Sequence, residues 1–302
     1  MSDLTIQAPS VETLVNMADG LMCAGDTPTA ANLYAVALRR ASPEQREAIQ
    51  IRHGLASTTS RRRVAMYGVL QELEQFGEHV FVGDGLATWY KTMPFMADER
   101  FLELAGKHAH LLPIANWHWN LQTVLWAAQQ ARTVEGQFVE LGVFKGHTSI
   151  FLAEYLEFAG WDKRWYLYDT FDGIPDDQLD PGWAKNNKVV YNPQTFSYEE
   201  VRARFAPFPN IEVIKGRVPE ILLDNSPDRI AFLHMDLNNS TAEIAALEAL
   251  FDRISLGGVI VFDDYGWAAS KAQYDAENRW FADRGLQILT LPTGQGLFIK
   301  TA

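Results

Sequence analysis

Three acids stand where a carboxylate is expensive to keep. Asp236 ends the apolar stretch "IAFLHMD", and Asp263 and Asp264 end "GGVIVFDD". Removing such a group from water costs several kcal/mol unless something compensates it, roughly 2–7 kcal/mol even for a neutral polar group. A second set of residues lies upstream. "VELGVFKGHTSI" ends a strand, turns on Gly142 and Gly146, and opens a helix at Thr148 and Ser149. Glycines at that place let the backbone turn sharply and approach a ligand beside a helix N-terminus. The spacing is not Gly-x-Gly-x-x-Gly, which makes a dinucleotide pyrophosphate a poor fit. Glu140, just before the first glycine, would repel a pyrophosphate but attract an ammonium. Asp169 closes the next strand, "WYLYD", where an acid can accept hydrogen bonds from both ribose hydroxyls of an adenosine. An ammonium site followed by a ribose site points to S-adenosylmethionine.

The elements that position these residues follow from periodicity. From Gly136 onward, short apolar runs ("QFVELGV", "RWYLYD", "IEVIKG", "IAFLHMD", "GGVIVFDD") alternate with helix-length segments. Near-continuous apolar strands separated by helices are the pattern of a parallel sheet covered on both faces. "LQILTLP" and "GLFIK" are joined only by "TGQG", which predicts a final antiparallel hairpin. The expected fold is α/β, a doubly wound sheet with a reversed last strand.

The first part of the chain reads as helical. Within 11–43, Ala30, Tyr34 and Ala37 fall at the offsets of a tetratricopeptide-like helical hairpin. Residues 61–132 continue mostly helical, and "WHWNLQTVLWAAQQAR" places Leu121, Val124, Leu125 and Ala128 on one face. The expected division is therefore 1–132, a helical N-terminal region packing on the core or on a second copy of the chain, and 133–302, the donor-binding domain. "STAE" at Ser240–Glu243 reads as a capping box.

Composition excludes several classes. Of 302 residues, 47% are hydrophobic and 21% charged, as in a packed globular protein. The net charge of −12 argues against a nucleic-acid partner, and the basic run Arg61, Arg62 and Arg63 reads as a solvated helix start. Cys23 is the sole cysteine, which leaves neither an internal disulfide nor a multi-thiolate metal site. No apolar run approaches the ~20 residues of a membrane span and no leader-like segment opens the chain, so a cytoplasmic location is expected.

Taken in order and spacing, "GQFVELGVFKGHTS", "WYLYDTFDGIPDD", "TFSYEEVRARF", "IEVIKGRVPEIL" and "MDLNNSTAEIAALEALFDRISLGGVIVFDDYG" resemble the macrocin O-methyltransferase family. The resemblance covers roughly residues 115–300. It implies a Rossmann-like class I methyltransferase fold with a mostly parallel seven-stranded sheet. It further implies methyl transfer from S-adenosylmethionine to hydroxyls of sugars and other natural products, assisted by Mg²⁺. By the same resemblance, Asp236, Asp263 and Asp264 are the metal ligands, Asp236 also borders the donor, and Gly216 and Arg217 of "IKGRVPE" are candidates at the adenine edge. Oxygen ligands with open positions for substrate suit Mg²⁺, and three neighbouring acids repel one another without a cation. A structural reading stands beside it, in which Asp263 caps the turn or helix that follows.

The chain departs from the family at one position. The proposed general base, an Asp two residues after the first ligand, is here Asn238, which takes no proton at neutral pH. Asp236 itself, His234, or water activated by the metal are the alternatives. The stretch "DQLDPGWAKNNKVVYNPQTF", with Trp183, Tyr191 and Phe196, is long enough to serve as a lid. Trp117, His118 and Trp119 pack in the core or wall the donor or acceptor pocket. Rival readings are a nicotinamide-dependent oxidoreductase, disfavoured by the missing Gly-x-Gly-x-x-Gly, and a non-catalytic binding module with a relic donor site, favoured only by Asn238.

Overall fold

The computed structural model describes residues 9–23, 26–46, 48–50, 52–53, 56, 80–112, 116–180, 191 and 196–301. The chain divides into two compact units, Met1–Glu78 and His79–Ala302. The Arg61–Arg63 run and most of the long loop, Trp183 included, lie outside the described residues.

In the first unit, α1 (Val11–Cys23) and α2 (Thr27–Arg40) pack together. The Asp26 carboxylate caps α2 by accepting from the Thr29 N–H at 3.1 Å, which satisfies one of the orphan donors of the first turn. Ala30, Tyr34 and Ala37 form its buried stripe against Leu14 and Ala18, and the Tyr34 hydroxyl donates to Asp19.

The second unit opens with a hairpin, not a helix. β1 (Val80–Gly83) pairs antiparallel with β2 (Leu86–Trp89). The reason is local: Asp84 and Gly85 both take positive φ, 54° and 67°, as the tight Asp-Gly hairpin turn requires. That turn chemistry outweighs the helical reading of this stretch. After it come α3 (Glu99–His108), capped by Asp98, and α4 (His118–Gln130).

Strands and helices then alternate: β3 (Gln137–Leu141), α5 (His147–Tyr155), β4 (Trp165–Asp169), α6 (Tyr198–Phe205), β5 (Ile211–Lys215), α7 (Glu220–Asn225), β6 (Ile230–Met235), α8 (Ser240–Leu250), β7 (Ile254–Phe262) and α9 (Lys271–Ala282). A hairpin of β8 (Leu289–Thr290) and β9 (Gly296–Ile299) closes the chain. The sheet order is β5-β4-β3-β6-β7-β9-β8, parallel through β7 and antiparallel beyond. Strand order reverses between β3 and β6, the switch point at which such sheets open a crevice for ligand.

Two apolar layers hold the sheet. One face buries Phe138, Trp165 and Phe232 against Phe101, Leu121, Val124 and Phe151. The other buries Leu233, Ile260 and Phe262 against Leu247, Leu250, Trp280 and Phe281. Every position of β6 is buried, which explains why it reads as an unbroken apolar run. The start of α8 differs from the capping-box reading. Asn239 is the cap, accepting from Ala242 N–H at 2.7 Å; Ser240 turns to Asp180 and Glu243 to the Leu237 N–H and Gln273. An Asn side chain one residue earlier satisfies the same orphan donor, leaving Ser240 free to bind elsewhere.

Candidate active site

Register places the chemistry in one row. Tyr168, Leu141, Met235 and Phe262 are aligned across β4, β3, β6 and β7. The next residue on each strand is Asp169, Gly142, Asp236 and Asp263. Adjacent strands lie about 4.8 Å apart, so Asp236 and Asp263 are neighbours, and Asp169 stands two strands from Asp236. Backbone bonds lock the row: Gly142 N–H to Tyr168 O at 2.9 Å, Asp236 N–H to Leu141 O at 2.8 Å, and Asp263 N–H to Met235 O at 2.9 Å. A Cβ on Gly142 would collide with the Asp236 carbonyl, so this close crossing of the loop over β6 admits glycine alone.

On the β3–β4 side the acids are already occupied. Asp169 Oδ2 accepts from Val143 and Phe144 N–H, each at 2.8 Å, and Oδ1 from Phe171 N–H at 2.7 Å. Burial pushes its carboxyl up, and the three N–H groups oppose that shift. Asp169 thus ties the glycine loop to the end of β4 and keeps spare acceptor capacity, because a carboxylate takes about four hydrogen bonds. Glu140 accepts from the Ser149 hydroxyl, turned inward from the first turn of α5. Thr148 beside it stays partly exposed, and Gly146 starts α5 in the left-handed region at φ 74°. At the end of β5, Gly216 N–H bonds Asp169 O at 2.9 Å. Arg217 pairs with Asp177 at 2.5 Å, so its charge is spent on the segment after β4.

On the β6–β7 side the acids crowd one another. Burial first, then Asp263 and Asp264, push Asp236 well above the usual carboxylate range. Burial and Asp263 do the same to Asp264. Asp263 behaves oppositely: burial would raise it, but the neighbouring His234, with hydrogen bonds from Asn120 and Gln295, holds it below its ordinary value. Asn120 Nδ2 donates to Asp263 Oδ1 at 2.9 Å and Gln295 Nε2 to the same oxygen at 3.1 Å. His234, 1% exposed, lies 3.4 Å from Glu140 and 3.5 Å from Asp263. Burial alone would lower it, and its two acids overcome that and raise it well above 6.5.

Asn238 takes φ 58°, a conformation Asn tolerates, and donates to Asp236 Oδ1 at 2.8 Å. Its amide clamps the acid that an Asp there would repel. Tyr191, from the long loop, packs edge-on against Phe144 at 5.3 Å. Burial, followed by Asp236, Asp264, Asp263 and Asp169, pushes its phenol up, which keeps it a proton donor.

Two residues that grip Asp263 escaped the sequence reading. Asn120 sits in the buried stripe of α4 with Val124, Ala127 and Ala128, and a polar residue at that spacing was its signal. Gln295 lies in "TGQG", which reads as a turn only. Asp84, at the tip of the β1–β2 hairpin, accepts from Trp119 and Asn120 N–H at 2.8 and 3.1 Å; nothing local to it signals that it caps α4 across the fold.

For Mg²⁺, the donor chemistry fits, since three neighbouring carboxylates, two of them raised by burial and by the charge of Asp263, are the setting a hard cation relieves. Their side chains are not converged: among the described residues no group of three or more His, Cys, Asp or Glu is placed to hold a metal ion. Nor is any helix among them long and apolar enough to cross a membrane.

A parallel sheet with a reversed terminal hairpin and this row of loop, acid and acid defines a class I methyltransferase fold. The chain belongs to the Macrocin-O-methyltransferase (TylF) family, whose profile matches residues 118–287, and it is accordingly a methyltransferase. It is 29% identical over 202 residues to 8-demethyl-8-(2,3-dimethoxy-alpha-L-rhamnosyl)-tetracenomycin-C 4'-O-methyltransferase of Streptomyces olivaceus, covering 61% of this chain and 74% of that one. It is 30% identical over 141 residues to demethyldecarbamoylnovobiocin O-methyltransferase of Streptomyces niveus, covering 44% and 53%; the chain spans about half the length of that relative. Among solved structures, the O-methyltransferase NovP aligns with a TM-score of 0.56 at 20% identity, over 68% of this chain and 98% of that one, a likeness of fold.

Proposed function

We propose that this protein transfers the methyl group of S-adenosylmethionine to a hydroxyl of a sugar, glycoside or other natural-product metabolite, with Mg²⁺ at the β6–β7 edge. The observation that carries the reading is the row Asp169, Gly142, Asp236, Asp263, which sets a loop suited to a sulfonium nucleotide beside a pair of acids suited to an acceptor. The names of the relatives, both O-methyltransferases and one acting on a rhamnosyl group, support the acceptor class.

In this reading Glu140 faces the ammonium of the donor, and the remaining lone pair of Asp169 takes a ribose hydroxyl. Gly142, Gly146, Thr148 and Ser149 line the loop, and Gly216 and Arg217 border the adenine. Asp236, Asp263 and Asp264 would hold the ion, which when bound lowers the pKa of a coordinated hydroxyl. The methyl carbon leaves sulfur for the acceptor oxygen, S-adenosylhomocysteine departs, and the hydroxyl proton needs a base. Asn238 has none to offer, and His234 is enclosed between Glu140 and Asp263, whose charges raise it well above 6.5. That leaves Asp236, or water beside a hydroxyl that the ion would acidify, to take the proton. Alignment of donor and acceptor supplies most of the remaining acceleration.

The test is calorimetric. S-adenosylmethionine and S-adenosylhomocysteine should bind and NAD should not, and a glycoside should gain a methylene unit in mass only when Mg²⁺ is present. Binding of NAD alone, or transfer unaffected by chelation, would overturn the donor or the metal assignment respectively.

A further inference from the structure

In the proposed reading the donor lies at the ends of β4 and β3 and the carboxylates stand at the ends of β6 and β7, which leaves the acceptor the side beyond Asp263, toward β9. Two tryptophans stand on that side. Trp117 precedes α4 and lies one helical turn before Asn120, whose amide holds Asp263. Trp267 follows Asp263 and Asp264 in the turn whose Gly266 N–H bonds Gly294 O at 2.6 Å, next to Gln295, the other residue on Asp263. The two indoles are parallel within 7°, with centroids 6.3 Å apart, inside the range of offset stacking. Both are half-buried.

Their orientation is enforced. Trp267 is wedged between Gly85 of the β1–β2 turn and Gly294 of the β8–β9 turn. A Cβ on Gly85 would come within 2.6 Å of the Trp267 ring, and one on Gly294 would strike its indole nitrogen. Two positive-φ turns from distant parts of the chain thus press on one ring. Trp117 is anchored through its neighbours, since Asp84 accepts from Trp119 and Asn120 N–H and Asn116 Nδ2 donates to Val82 O at 3.0 Å. Core packing alone does not call for two half-exposed parallel indoles tied to the residues that grip a site carboxylate.

We propose that Trp117 and Trp267 form the acceptor subsite, an aromatic wall that takes the flat apolar face of a ring in a glycosidic acceptor and so selects which hydroxyl meets the methyl group. This inference rests on the methyltransferase reading for its direction. A ring of that kind is either the C–H face of the sugar or an aromatic aglycone, and both stack on indole. A wall of two rings orients its ligand without consuming polar groups, which leaves the hydroxyls of a sugar free to face Asp236 and Asp263.

The experiment is saturation-transfer NMR and titration of the full chain with 4-nitrophenyl α-L-rhamnopyranoside, methyl α-L-rhamnopyranoside and 4-nitrophenol, with and without S-adenosylhomocysteine. At least one probe should bind the wild type. Trp117→Ala and Trp267→Ala should each weaken it roughly threefold to tenfold, with Trp267→Phe intermediate and S-adenosylhomocysteine affinity unchanged in all. Binding of the methyl glycoside assigns the wall to the sugar, and binding of 4-nitrophenol alone assigns it to the aglycone. Probe affinity indifferent to Trp117→Ala and Trp267→Phe, or no probe bound by the wild type, would overturn the subsite. Absence of S-adenosylhomocysteine binding would instead count against the methyltransferase reading, so the two failures are distinct. Trp117→Ala, at a half-exposed position, keeps the test available if Trp267→Ala does not fold.

Discussion

The two edges of the cleft treat their acids in opposite ways. At β3–β4, Asp169 is met by three backbone N–H groups and Glu140 by a serine hydroxyl. At β6–β7, Asp236 and Asp264 are raised by burial and by each other's neighbours, while Asp263 is held down by His234 and two amides. A carboxylate supplied with donors is organised before its ligand arrives. One that is raised by its neighbours gains when a cation arrives, so the first edge is built for geometry and the second for charge.

Removing an acid from the charged edge should have the largest effect. Asp263→Asn should lower methyl transfer at least about a hundredfold and leave S-adenosylhomocysteine affinity within twofold or so by calorimetry. A variant with wild-type turnover would dissolve the contrast between the edges. Next is Asp169→Ala, which orphans three N–H groups at about 1–3 kcal/mol each. It should both weaken the donor roughly tenfold or more and lower the melting temperature; a normal melt with normal affinity would mean that the loop holds itself. Asn120→Ala or Gln295→Ala should cost about tenfold in Mg²⁺ dependence of turnover without moving donor affinity.

The smallest effect on turnover is expected at Asp84, which also has a pH signature. Burial is the main cause that lifts its carboxyl to about 6 from 3.8, with hydrogen bonds from Trp119 and Asn120 opposing. The folded chain therefore keeps a proton that the unfolded chain loses. The stability this one group contributes is fully present below about pH 4 and is lost as pH rises through 6, by on the order of 3 kcal/mol in all. Asp84→Asn should flatten that part of the denaturation profile between pH 4 and 7; an unchanged slope would place the raised group elsewhere.

How much of this was readable from sequence depends on range. The strands of the sheet, their alternation with helices and the closing hairpin are local periodicities, and "VELGVFKG" and "VIVFDDYG" mark the strand ends that carry the loop and the acids. The family resemblance supplied the link between Asp236 and Asp263, which register then set in one row. What sequence hid is the grip on Asp263. Asn120 is 143 positions from it and Gln295 is 32, so neither contact leaves a periodic trace. The Asp84–Gly85 turn was legible as a hairpin signal, but helix-like spacing around it hid the strands. The capping of α8 was misread by one residue because Asn239 and Ser240 both have side chains suited to the task.

The Asp84 carboxylate has a practical corollary for dissecting this enzyme. The family profile begins at residue 118, yet the hairpin that fastens the start of α4, and with it Asn120, lies at 80–89. A fragment trimmed to the profile boundary would carry every acid of the cleft and still lose the strut that aims one of them. Chimaeras with related enzymes should exchange the hairpin, α4 and the sheet as one block.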